Sequence, residues 1–314
     1  MSHTLKTALG VIALIALAAV GYFGLADNLA FMTQVVIMMI FVLSLDYVLG
    51  YAGISTLGHA AMFGTGAYAA AIFATSVSSD PILGILAGAV AGGAIALLSG
   101  FVLMRAHGLT LLMLSIAVTE VLHELANKYS GITGGADGLS FTPGPILGRF
   151  EFDFAGHIAY IYSVCLLLLV FIKLRVLTAS PFGLAARGIR ESQARMRAIG
   201  TPVYWRMLLI YTFGGAFAGV AGALSAQTTA LVSLSVYDFQ LSAGAVLMLI
   251  LGGTGQLWGA ILGTMVYMTV HQIASSVDPF NWLFIIGAMV LIVVYLVPNG
   301  LMALPALLLR WRRK

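Results

Sequence analysis

The residues able to do chemistry in this chain are few, and they gather in a handful of places. Glu120, His123, Glu124 and Asn127 recur at helical spacing within one apolar stretch. The Glu-x-x-His spacing of Glu120 and His123 is half of what a di-iron bundle needs, since each of two helices must supply one such pair. The sequence has no second pair, so no metal site is expected. Two readings remain for this group: a polar lining at the outer mouth of a path, or hydrated groups at a membrane surface. Ser55, Thr56 and His59 form a second cluster inside a glycine-rich stretch. There His59 either touches cargo or is a packed, hydrogen-bonded histidine. Asp46 falls near the inner end of its apolar stretch and is expected to be solvated. His271 and Gln272, near the outer end of a later stretch, carry a weaker signal.

Several chemistries are excluded by what is missing. None of Lys6, Lys128, Lys173 and Lys314 follows a glycine, so the chain has no phosphate loop of the G-x-x-x-x-G-K-[ST] kind. There is no G-x-S-x-G elbow and no H-E-x-x-H pair. Cys165 is the single cysteine, which rules out an internal disulfide. The expectation is a non-catalytic chain that binds no cofactor of its own.

The elements that position these residues follow from composition. Of 314 residues, 61% are hydrophobic and 8% are charged, whereas soluble domains carry about 25% charged residues. Mean hydropathy is +1.04. A crossing helix needs about 20 mostly apolar residues. Ten stretches qualify: 8–26, 29–49, 60–77, 82–104, 108–127, 158–176, 207–226, 236–252, 257–275 and 281–297. The eighth is the weakest, because Asp238 and Gln240 interrupt its start. The run after Lys6 is long for a cleaved signal and is expected to stay as the first helix. The fold class expected is an all-α integral membrane protein of about ten transmembrane helices, some broken or re-entrant.

With the N-terminus inside, every Lys and Arg except Lys128 and Arg149 falls on the cytoplasmic side. Short loops rich in Lys and Arg stay inside, so both termini, the basic tail 310–314 and the segment 180–206 are expected to be cytoplasmic. The loop 129–157 is then external, and it is read as turns with one short extended piece. It serves either as a cap over a pore mouth or as a plain connection.

Segment 180–206 is the longest charged interruption. At 100° per residue, Phe182, Ala185, Ala186, Ile189, Met196 and Ile199 share one arc, while Arg187, Arg190, Glu191, Arg195 and Arg197 share the opposite one. Ser180 and Pro181 suit a helix start, and Gly200 with Pro202 suits its end. Glu191 precedes Arg195 by one turn, the orientation that favours an ion pair. The segment is therefore read as one amphipathic helix, either a surface helix that fixes topology or a docking helix for a soluble partner. Glycines supply the other pattern. Gly50 and Gly53 in one half resemble Gly252 and Gly255 in the other, and Gly58, Gly64, Gly253 and Gly259 are further packing glycines of the same two stretches. Such paired stretches mean close helix packing, or an internal repeat with broken helices beside a substrate path.

These motifs also carry a resemblance. DYVLGYAGISTLGHAAMFGTGAYAAA at 46–71, TGGADGL at 133–139, PFGLAARGIRE from 181 and GGTGQLWGAILG at 252–263 resemble, in order and spacing, the permease subunits of branched-chain amino acid ABC importers, the LivM type. The resemblance implies one permease domain over 1–314 in a bacterial inner membrane, crossed many times. It implies a second related permease subunit, two cytoplasmic ATPase subunits that use ATP and Mg, and a periplasmic or extracellular substrate-binding protein. No nucleic acid partner is implied. Phe182, Gly183, Arg187, Arg190, Glu191, Arg195 and Gly200 would belong to the ATPase-coupling element. Ser55, Thr56, His59, Glu120 and His123 would belong to the translocation path. Permeases with these motifs carry branched-chain or other hydrophobic amino acids, urea, short amides or aromatic acids. Leu184 departs from the arginine common at that position, and Ser192–Gln193 depart from the usual acids, which changes the charges available to an ATPase. The alternative from another class is an ion-coupled secondary transporter or channel working without an ATPase.

Overall fold

A computed structural model of the chain describes residues 3–24, 28–146, 150, 156–279, 281–296 and 300–303. The tail 310–314 lies outside the described residues, as do the ends that the sequence places in the cytoplasm. Each of the ten apolar stretches becomes a helix, as their uninterrupted side-chain hydrophobicity requires in lipid. In chain order these are α1 (His3–Gly24), α2 (Leu29–Leu45), α3 (Ala60–Ser76), α4 (Pro81–Leu103) and α5 (Leu109–Lys128), then a single turn α6 (Ser130–Thr133) and α7 (His157–Ala179). The short α8 (Pro181–Glu191) and α9 (Gln193–Ala198) follow, then α10 (Val203–Thr229), α11 (Phe239–Gly252), α12 (Leu257–Val277) and α13 (Trp282–Leu296).

Length divides them. Among the described residues five helices are long and apolar enough to cross a bilayer, or six if α11 and α12 form one bent span. α11 has 14 residues, which rise about 21 Å against a hydrocarbon core of about 30 Å. It then turns through 115° into α12. The expected bundle of about ten helices, some broken, is thus ten helices of unequal reach, five or six of them long enough to cross, and the weak eighth stretch is half of a bent pair.

The core is organised around α10, which packs on α2, α3 and α4. Its small residues let backbones meet. A Cβ on Gly219 would lie 2.2 Å from the Gly88 carbonyl oxygen, and one on Gly222 would lie 1.9 Å from that of Phe63. A Cβ on Gly66 would fall 2.3 Å from the Gly219 carbonyl oxygen, so α3 joins the same seam. Such contact maximises dispersion where lipid offers helices no hydrophobic drive to associate. Around the seam pack the fully buried Phe41, Tyr47, Phe63 and Tyr211.

Segment 180–206 is two helices rather than one. Ser180 caps α8 by accepting the Gly183 N–H at 3.4 Å, and Pro181 takes the first position. Ser192 then adopts an extended conformation and caps α9 by accepting the Arg195 N–H at 3.3 Å. The break rotates the second arc out of line with the first. Gly183, Ala186 and Ile189 are buried, but Ile199 is 74% exposed. It also parts Glu191 from Arg195, and no ion pair joins them. A serine that prefers capping to helix interior explains why the helical ladder stops there.

Over 129–146 the loop that the charge pattern places outside is folded. Thr133 Oγ1 donates to the Ala126 carbonyl at 2.5 Å. Strand β1 (Leu139–Ser140) pairs antiparallel with β2 (Leu231–Val232), matching Leu139 to Val232 and Ser140 to Leu231. The expected short extended piece exists, and it is clamped to the connection between α10 and α11.

Candidate functional site

The two glycine-rich stretches meet. The end of α2 widens into a π-helical segment, Asp46–Tyr51. A π-bulge adds a residue to the turn and re-aims the side chains after it. Asp46 is consequently fully buried, not solvated as its position near a helix end suggested. Its Oδ1 accepts the N–H of Gly255 at 2.7 Å, across to the break between α11 and α12. Gly255 has φ +82° and Gly53 has φ +72°, a region that side-chain-bearing residues occupy only at a cost of about 1–2 kcal/mol. A Cβ on Gly50 would sit 1.9 Å from Asp46 Oδ1 and 2.5 Å from the Gly255 nitrogen. Only a hydrogen fits there. Asp46 Oδ2 is buried without a hydrogen-bond partner among the described residues.

α8 lies over this junction. Arg190 donates from Nη1 to the Gly50 carbonyl, and its Nη2 reaches Thr254 Oγ1 at 3.5 Å. Its stem packs on Gly53, whose Cβ would be 3.0 Å from Arg190 Cγ. One turn earlier, the Arg187 guanidinium stands 5.0 Å from the centre of the Tyr51 ring, a cation–π distance. Arg206 lies 5.3 Å above the Phe182 ring, which meets Phe213 edge-on.

After Gly53 the chain is non-helical up to His59, and its backbone polar groups are answered in part by side chains from distant helices. The Leu57 N–H donates to Ser115 Oγ of α5 at 3.1 Å, and the Ala60 N–H donates to Ser242 Oγ of α11 at 2.8 Å. The Gly58 N–H donates to Thr56 Oγ1, and Tyr211 shares hydrogen bonds with Thr56 and Ser99. Ser44 Oγ spends its one proton on the Phe41 carbonyl, so His59 Nε2, 2.9 Å away, must be the donor to Ser44. That assignment leaves His59 Nδ1 a bare lone pair, and it is buried without a partner. Non-helical backbone at membrane depth survives only when groups like these satisfy it.

The structure sorts the residues singled out in the sequence. Arg187 and Arg190 reach the junction while remaining exposed, as are Glu191, Arg195 and Gly200; Gly183 is buried and Phe182 half-buried. Ser55 is exposed, whereas Thr56 and His59 are buried in the polar network. Glu120 sits on the exposed face of α5 with Val121 and Glu124, lining an open groove of about 500 Å³. His123 is half-buried, with Nδ1 3.8 Å from Glu124. Gly58 abuts the Ser115 carbonyl, Gly64 the Tyr237 ring, and Gly252 and Gly259 pack on each other, beside Gly253. Sequence inspection missed Asp46, Thr254 and the serines at 44, 115 and 242. The one visible signal was that DYVLG and GGTG each pair a polar residue with helix-breaking glycines.

Comparison with known proteins agrees with this construction. Residues 28–294 match the family described as branched-chain amino acid transport system / permease component. The chain is 29% identical to the high-affinity branched-chain amino acid transport system permease protein LivM of Escherichia coli (strain K12), over 95% of this chain and 76% of that protein. The LivM protein of Salmonella typhimurium gives the same identity and coverage. A probable branched-chain amino acid transport permease protein LivM of Methanocaldococcus jannaschii is 26% identical over 82% of this chain and 88% of its own length. No solved structure matches the chain significantly. A multi-pass bundle of apolar helices, two glycine breaks meeting under a basic helix, and a sequence match covering most of the chain lead to one conclusion: the protein belongs to the family of branched-chain amino acid transport permease components.

Proposed function

We propose that this chain forms one side of the translocation path of an ATP-driven importer in a bacterial inner membrane. In this scheme α8 and α9 dock on a separate cytoplasmic ATPase, which supplies ATP and Mg chemistry that the permease lacks. The named relatives point to branched-chain amino acids as cargo. The observation that carries the proposal is the seating of α8: Arg187 and Arg190 reach from it to the junction, while Leu184 and Glu191 on α8 and Arg195 and Arg197 on α9 are exposed for a partner. A helix used only to fix topology has no need to hold both breaks.

α5 supports a second permease subunit. Carboxylates within a span are costly unless paired or hydrated, so the exposed face bearing Glu120 and Glu124 toward the end of α5 suits water better than lipid tails. It suits a watered path shared with a related subunit, with a binding protein delivering cargo from outside. Glu120 and His123 would line the outer part of that path. Ser55 would line the part beside the first break, with Thr56 and His59 buried behind it.

Uptake into vesicles separates this from an ion-driven carrier. Reconstituted with its partners, the protein should transport only when ATP and the ATPase are present. Transport driven by a proton or sodium gradient without an ATPase would overturn the proposal. Glu191→Ala combined with Arg195→Ala, both on the exposed side, should lower retention of the ATPase on the purified complex several-fold. Full retention would remove these two from the docking surface.

A further inference from the structure

Asp46 and Arg190 do something that docking alone does not require. Each is a charged group that bridges both breaks. Asp46 belongs to the first break and binds the main-chain N–H of Gly255 in the second. Arg190 belongs to neither, yet it donates to Gly50 in the first and reaches Thr254 in the second. Gly50 leaves no room for a Cβ, and a Cβ on Gly53 or Gly255 would press on the Arg190 side chain, so the two breaks and Arg190 meet directly. The second carboxylate oxygen of Asp46 is buried without a hydrogen-bond partner among the described residues.

Resting on the importer function proposed above, we infer that Asp46 and Arg190 are positioning residues for coupling, a latch that makes the ends of α2 and α11 travel with α8. The unpaired Oδ2 supplies the latch with its second position. In one state the guanidinium holds the Gly50 carbonyl. A small slide of α8 hands the same donor to Asp46 Oδ2, and the Gly255 N–H then shares its acceptor with a full cation. Two discrete acceptors for one donor give the bistable element that transmitted motion needs. Arg190, although exposed, is thus assigned to the junction within the permease rather than to a contact with the ATPase.

The test uses the whole transporter in vesicles and reads solute imported per ATP hydrolysed. Asp46→Asn keeps the size of the side chain and an acceptor for Gly255 but removes the charge. It should retain its ATPase while coupling falls about tenfold, the factor that loss of one charge-assisted hydrogen bond confers. Arg190→Ala should lose a similar share, Arg190→Lys should restore part of it, and the double variant should be no worse than the poorer single. In a Cys165→Ser background, Thr254→Cys should react with a maleimide faster once Arg190→Ala is added, which reports the latch without any transport.

Additive losses in the double variant, or a labelling rate unmoved by Arg190→Ala, would overturn the latch. So would wild-type coupling in Asp46→Asn alongside shedding of the ATPase by Arg190→Ala, which would make Arg190 a docking contact and leave the importer function standing. Uptake at full rate with no ATPase present would instead remove the importer function itself.

Discussion

In the α3–α4–α10 seam and in the Gly50–Gly255 junction alike, glycines stand where no Cβ fits. The seam glycines lie inside continuous helices, touch carbonyls of neighbouring helices and involve no charge. The junction glycines lie where helices stop, two of them at positive φ, and their neighbours are a buried carboxylate and a guanidinium. The first arrangement gains from being rigid, since close-packed backbones transmit displacement rather than absorb it. The second has soft dihedrals and exchangeable polar bonds. The comparison indicates that a membrane bundle can spend the same residue type on a fixed spine and on a movable joint.

Substitution should separate the two regions. Gly219→Leu would drive a side chain into the Gly88 carbonyl, where even a Cβ comes within 2.2 Å. Overpacking of this kind costs about 1–3 kcal/mol and can cost more. The expected outcome is loss of monodisperse protein on detergent extraction, whatever the cargo or ATPase. Gly255→Ala should do less to the fold, with about 1–2 kcal/mol of left-handed strain and a collision with Arg190 Nη1 at 2.7 Å. It should insert and purify, yet lose most of its uptake. If Gly255→Ala instead failed to accumulate, the junction would be as much a spine as the seam. Gly93→Ala should be the mildest. Its Cβ would meet Ala216 Cβ at an ordinary 3.4 Å, so stability should move by within about 0.5 kcal/mol, measured as unchanged thermal unfolding in detergent.

The helices were legible because a long apolar run in lipid has few alternatives to being a helix. The seam could also have been read: Gly84, Gly88 and Gly92 are spaced by four, as are Gly215 and Gly219, the small-xxx-small pattern of close helix packing. The break at Ser192 was hidden, since the hydrophobic arc reads straight through it and only a capping serine marks it. Asp46 was misjudged for a different reason. Its acceptor bond reaches a glycine 209 positions away, and Arg190 reaches Gly50 across 140. No local pattern encodes pairings at that separation. Reach was legible in part: the eighth stretch was bounded at 252, where α11 does halt, but nothing in its apolar length gives the 115° turn into α12.

The ladder between Leu139–Ser140 and Leu231–Val232 bears on how motion can be watched from outside. Stapled there, the outer loop is no free flap, and its tip is carried by the far end of α10. A fluorophore or spin label placed near Asp137 would therefore serve as a tilt gauge for the spine of the bundle, sampled from the solvent without touching the interior.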